Sequence, residues 1–167
     1  MVINSHNGFT LIELMIVLTI AGILATIGMP AMRDLMLNQK VKTAASDLHL
    51  GLMLARSEAI KRSSSVTIEK NSSWPGGWRV KAGTSVLKVN DPLDGMSVEC
   101  STDFDAGAEA CPSTMTFQRS GRPTGYTEFR IFVTGNSGVT MRCVSIGLSG
   151  VPSIALDSDT DTGNGCG

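Results

Sequence analysis

The sequence predicts an α+β fold, with one long N-terminal helix followed by a β-rich head. Two patterns predict it. Between residues 9 and 62 apolar side chains recur at the three- and four-residue steps of a helix face. From residue 65 onward they alternate in short runs separated by turn residues. A third observation sets the compartment: all four cysteines lie beyond residue 99, which points to disulfides formed outside a reducing cytoplasm. The chain of 167 residues suits one ordinary domain plus a short segment. With 42% apolar and only 17% charged residues, disorder over most of the chain is excluded. Its 14 basic and 15 acidic residues nearly cancel, so no global field attracts nucleic acid or anionic lipid.

The helix begins after eight mostly polar residues, 1–8. Residues 14–32 then carry no charge; at 1.5 Å per residue they reach roughly 28 Å, enough to cross a bilayer core. A secretory signal would carry basic residues before this stretch and a small-residue cleavage site after it, and neither stands there. The expectation is a retained membrane helix. Glu13 stands among Leu11, Ile12, Leu14 and Met15. An acid near the middle of a membrane helix costs at least about 2.5 kcal/mol, which marks a functional residue with a partner. Beyond the apolar stretch, Leu37, Val41, Ala44, Ala45, Leu48, Leu52, Ala55 and Ala59 form one stripe. Its expected role is packing against the chain's own head. Helix formers continue to Arg62, where Ser63, Ser64 and Ser65 end the pattern. From residue 9 to 62 the rod would measure about 80 Å, with a kink or local melting expected at Pro30.

Strands are expected at Val66 and Ile68, Trp78 and Val80, Val86 to Val89, Met115 and Phe117, Phe129 to Val133, Val139 to Gly147, and Ser153 to Leu156. Pro75, Gly76 and Gly77, then Asn90 to Pro92, Gly121 to Pro123 and Gly135 to Gly138 punctuate them. This spacing implies a mainly antiparallel sheet with the helix stripe on one face. Trp78 is expected in the core rather than stacked on a ligand.

Gly8, Phe9, Thr10, Leu11, Ile12 and Glu13 together resemble the cleavage and methylation site of type IV pilins and type II secretion pseudopilins. The resemblance implies cleavage after Gly8 by a prepilin peptidase, N-methylation of Phe9, and pairing of Glu13 with the N-terminal amine of a neighbouring subunit. A buried charge is tolerable when paired and costly when alone. One departure is that the leader holds His6 but no Lys or Arg. The implied organisation is a leader at 1–8, a transmembrane and assembly helix at 9–32, an amphipathic helix at 33–62 and a periplasmic head at 63–167. Arg33, Lys40 and Lys42 would by the positive-inside rule place the head in the cytoplasm. The cysteines and the cleavage motif outweigh them. In the head, Leu54 to Arg62, then Gly76, Gly77 and Trp78, then Phe117 to Arg122 are similar to the pseudopilin H (GspH) and FimT/FimU minor pilin group. The resemblance implies a single-pass inner-membrane protein whose partners are other pilins or pseudopilins, the peptidase and the assembly platform. Arg56 and Glu58 are read as stem charges.

No nucleophile elbow, HExxH, Walker loop or CxxC is present. His49 stands alone on the stem, where it is read as a polar surface residue. The expected protein is not an enzyme and needs no cofactor. Its expected work is structural: priming or joining the assembly of a pilus or pseudopilus. The alternative is a DNA-binding minor pilin of FimT type, which uses a Gly-Arg-x-Arg loop. Here Gly150 keeps the glycine, while Val151 and Ser153 replace both arginines. Arg119 and Arg122, with Arg130 and Arg142, are the substitute contacts, opposed by six acids and no base over residues 91–109. DNA binding is therefore expected to be weak or absent. Four cysteines allow three pairings. The favoured one joins Cys100 to Cys111 around an acidic loop, and Cys143 to Cys166 at the tail. Asp157, Asp159 and Asp161 resemble the opening of a calcium loop, but the EF-hand glycine and closing acid are missing, so a solvated acidic tail is preferred.

Overall fold

The computed structural model describes residues 9–101, 111–158 and 166, with the side chains of 27–31 left out of that description. The chain divides into two units, Met1–Met36 and Leu37–Gly167. The described backbone forms helix α1 (Leu11–Arg62), then β1 (Val66–Lys70), β2 (Trp78–Ala82), β3 (Ser85–Val89), β4 (Ser97–Ser101), β5 (Thr114–Phe117), β6 (Thr127–Phe132), β7 (Arg142–Ile146) and β8 (Pro152–Leu156). The class is α+β. Helix α1 runs through Gly28 and Pro30 without the expected melting, because a proline removes one main-chain hydrogen bond and leaves those before and after it.

Both ends of α1 are built from side chains and backbone that the sequence places there. At the start, Thr10 and Glu13 cap each other, as described below. At the end, the Ser64 N–H donates to the Ala59 carbonyl and the Ser63 N–H to that of Ile60, with Ser63 at φ 49°. This is a Schellman stop, with serine taking the left-handed position where glycine is usual.

The head contains two antiparallel four-stranded sheets, ordered β3-β2-β1-β5 and β4-β6-β7-β8. The sequence reading implied one sheet and left β4 out. In β4, Val98 and Cys100 supply the alternation, and the cysteine is fully buried opposite Phe129. Surrounding serines and acids hide that short pattern. The stripe on α1 packs as expected: Val41, Ala44, Ala45, Leu48, Leu52, Ala55 and Ala59 are buried, with Leu37 half-buried against them. Alanine at four of these positions keeps the helix close to the sheet residues Ile68, Val80, Phe117 and Phe129, which share the same core. Asn38 ties the helix to the β6–β7 loop, donating from Nδ2 to the Gly138 carbonyl and accepting the Thr140 N–H on Oδ1, both at 2.9 Å.

Cys100 is bonded to Cys111 and Cys143 to Cys166, the two pairs favoured above, and no cysteine is free. They close loops of 11 and 23 residues, which in the chain-entropy picture stabilise by about 3 kcal/mol each. Replacing Cys143 and Cys166 together by serine should lower the unfolding free energy by about that amount in a urea titration. An unchanged midpoint would mean that the unfolded chain gains nothing from release of its tail.

Candidate functional site

The N-terminal unit starts with a reciprocal cap. The Glu13 carboxylate accepts the Thr10 N–H and the Thr10 Oγ–H, both at 2.9 Å, and the Thr10 Oγ accepts the Glu13 N–H at 3.3 Å. A Thr-x-x-Glu spacing forms this capping box because residues three apart meet at the first helical turn. It satisfies orphan donors that a helix start otherwise leaves open. The sequence reading took Glu13 as part of a processing motif and missed that the same spacing is a capping signal. Phe9 is 87% exposed directly before the cap, and Leu11, Ile12, Leu14, Met15, Ile16, Val17 and Leu18 are all exposed. An isolated soluble domain rarely leaves so much contiguous apolar surface uncovered. Among the described residues no helix is long and apolar enough to cross a membrane, so the crossing expected over 9–32 is not shown. Gly8, the expected cleavage position, lies outside the described residues.

In the head, the loop between β7 and β8 is held from two sides. Arg122 donates Nε–H to the Leu148 carbonyl at 3.0 Å, and Arg56 donates from Nη2 to the Ser149 carbonyl at 3.4 Å. Arg56 is thus more than a stem charge. Gly150 has φ 76°, and a Cβ there would run into the Gly121 carbonyl. Gly121, also at φ 76°, has no room either, because its Cβ would meet Ile60 at 2.6 Å. Two glycines therefore let the loops before β6 and β8 close onto the end of α1. The result is a braced loop that presents Leu148 and Val151, 61% and 51% exposed. Glu58, in that last stretch of helix, takes Arg62 at 2.6 Å and Lys61 at 3.7 Å; the Arg62 hydrogen bond holds its carboxyl below the usual range.

The four arginines considered as a cationic patch do not act together. Arg130 is buried, with its side chain 2% exposed and paired to Glu128 at 3.0 Å, so it is removed from any surface patch. Strand alternation placed it opposite Cys143 and Glu99 on the far face of the sheet. Arg122 is exposed but braces the loop, Arg142 is half-buried, and Arg119 is exposed. Asp157 is buried rather than solvated, its N–H bonded to the Met141 carbonyl at 3.1 Å; Asp159 and Asp161 lie outside the described residues. Among the described residues no three His, Cys, Asp or Glu side chains are grouped to hold a metal ion. His49 is half-buried rather than a surface residue, with Nδ1 buried and without a hydrogen-bond partner among the described residues. Trp78 is fully in the core.

Residues 44–150 match the family described as Type II transport protein GspH, and residues 3–29 match the prokaryotic N-terminal methylation motif. The type IV major alpha-pilin of Moraxella bovis is 30% identical over 112 residues, 67% of this chain and 70% of that protein. A fimbrial protein of Moraxella nonliquefaciens is 54% identical over 41 residues, which are 25% of this chain and 27% of its own. Among solved structures, the type IV minor pilin FimU of Pseudomonas aeruginosa superposes with a TM-score of 0.58 at 21% identity, over 77% of this chain and 96% of that one. The minor pseudopilin EpsH from the type 2 secretion system of Vibrio cholerae does so with a TM-score of 0.55 at 15% identity, over 72% and 99%. At these identities the two structures speak for the fold.

Proposed function

Because the chain belongs to the GspH family of pilin-like proteins, which are structural and not enzymes, we propose that it is a minor subunit priming or joining a type IV pilus or type II secretion pseudopilus. The observation that carries this reading is the capped helix start at Thr10 and Glu13, which lies within an N-methylation motif and opens a run of exposed apolar side chains. In this reading a prepilin peptidase cuts after Gly8 and Phe9 becomes the methylated N-terminus. Residues 9–32, uncharged from 14 onward, hold the chain in the inner membrane and then pass into the filament. The disulfide-bonded head stands in the periplasm. Other pilins and the assembly platform are its partners. The test is Gly8→Trp as the sole copy in cells. Immunoblots should show the longer precursor retained in the membrane fraction and none in sheared filaments. A mature-sized Gly8→Trp chain in filaments would overturn the processing step.

DNA uptake is the second reading, and the side chains give it little support. Val151 and Ser153 offer no cation, Arg130 is buried in an ion pair, and Arg122 is committed to Leu148. Binding at physiological salt requires several phosphate contacts made together. A mobility shift with duplex DNA should therefore show no sub-micromolar complex. Tight binding that is lost in Arg119→Ala with Arg122→Ala would establish this class instead.

A further inference from the structure

We propose that Asn71 is an N-glycosylation site, recognised together with Ser73 by a periplasmic transferase that links an oligosaccharide to the asparagine amide. The proposal rests on the reading of the head as exported, since such acceptor sites belong to secreted chains. Of the chain's seven asparagines, only Asn71 is followed two residues later by a serine or threonine, in the triplet Asn71, Ser72 and Ser73. A carboxamide nitrogen is a poor nucleophile. The enzymes that glycosylate it demand a hydroxyl at this spacing and no proline between. The triplet meets both conditions.

The fold places the triplet where this chemistry needs it. Asn71 is the first residue beyond β1, and Asn71, Ser72 and Ser73 are all exposed. The hairpin beneath them is closed by the pairing of Lys70 with Trp78, and by Glu69, which holds Arg79 at 2.6 Å and Lys81 at 3.3 Å. Beyond the triplet the loop is pinned by buried Trp74, whose Nε1–H donates to the Pro112 carbonyl at 2.8 Å. Between these anchors the polar side chains shape the turn and stay available. Asn71 Nδ2 donates one hydrogen to the Gly76 carbonyl at 3.2 Å, and an amide nitrogen carries two. Ser73 Oγ accepts the Gly76 N–H at 3.1 Å and keeps its own proton to donate. In the transfer, Nδ2 bonds to the anomeric carbon of a polyprenyl-diphosphate-linked oligosaccharide. The bond from that carbon to the diphosphate oxygen breaks, and its electron pair leaves with the polyprenyl diphosphate. The second amide proton passes to a base of the transferase, and nothing is oxidised or reduced. The glycan adds polar bulk, so the β1–β2 loop is a face turned to solvent.

The test is mass spectrometry of the full-length chain purified from the cells that produce it. The tryptic peptide spanning residues 71–79 contains one asparagine, two serines and no cysteine. Its fragmentation should place a carbohydrate mass on Asn71. Asn71→Gln and Ser73→Ala should each lose that mass, whereas Ser73→Thr and Ser72→Ala should keep it. Ser73→Ala gives up a single exposed hydrogen bond, so the head still folds, and Ser73→Thr restores the hydroxyl. A bare peptide, a glycan on Ser72 or Ser73, or a glycan on Asn71 that persists in Ser73→Ala would overturn the proposal. The state of the cysteines separates its failure from that of the reading beneath it. A bare Asn71 with Cys143 and Cys166 joined brings down the modification alone, whereas free thiols there bring down export and the modification with it.

Discussion

Glu13→Leu is expected to reduce recovery of the chain in sheared filaments by at least tenfold, while membrane insertion and the folded head are retained. The argument has two parts of unequal size. Leucine removes the capping box with Thr10, and the loss of such a cap costs on the order of 1 kcal/mol at the helix start. That is too small to unfold a head whose core lies in the other unit. Leucine also removes the carboxylate. In the proposed filament the new amine at Phe9 of a neighbour sits in a low-dielectric layer, and an uncompensated buried charge costs several kcal/mol. Insertion becomes easier, since an acid is taken out of an apolar helix. Glu13→Gln separates the two roles, because glutamine still accepts from Thr10 in a capping box but carries no charge. Both variants failing to assemble points to charge pairing. Glutamine assembling normally while leucine fails would reduce Glu13 to a helix cap, and normal assembly of both would end the pairing mechanism for this protein.

The helix was legible because its signal is long and periodic. The stripe from Val41 to Ala59 is buried at every position that the period named, since one face of a helix has no alternative to a single core. The strands at Trp78, Phe117 and Phe129 were legible for the same reason on a period of two. Pattern failed where polar residues take core or bracing positions through tertiary contacts. Arg130 looks like a surface cation until Glu128 and the far face of its sheet enclose it. Asp157 looks like tail until the strand before it returns its N–H to Met141. Arg56 and Arg122 become brackets only when the β7–β8 loop arrives, far away in sequence. The division of strands between two sheets is not written in alternation either, because period two specifies a face and not a partner. At the N-terminus, by contrast, Thr10 and Glu13 held a second meaning in plain view, since Thr-x-x-Glu is also a helix start.

Trp78→Ala is the substitution expected to cost the head most, about 3–5 kcal/mol, against a total stability on the order of 5–15 kcal/mol for a domain. Trp78 is 1% exposed and opens β2, where it pairs with Lys70 and accepts the Asn90 N–H on its carbonyl at 2.8 Å. Its ring lies 6.4 Å from that of Trp74, which stands edge-on to Phe129 at 4.7 Å, so one cavity would remove the first of these aromatic contacts and loosen the second. The helix makes room for it with Gly51, where a Cβ would come 3.2 Å from the Trp78 Nε1. That nitrogen is buried with no hydrogen-bond partner among the described residues. An orphan donor offsets part of what the ring contributes, so Trp78→Phe, which deletes it along with some volume, should cost well under the alanine value. Gly51→Leu should cost about 1–3 kcal/mol by overpacking, even though leucine is the better helix former. Urea titrations of the full chain with both disulfides intact read all three. A Trp78→Ala midpoint close to that of the unaltered chain, or Trp78→Phe falling as far as alanine, would show that the ring's volume is not what holds helix and sheet together.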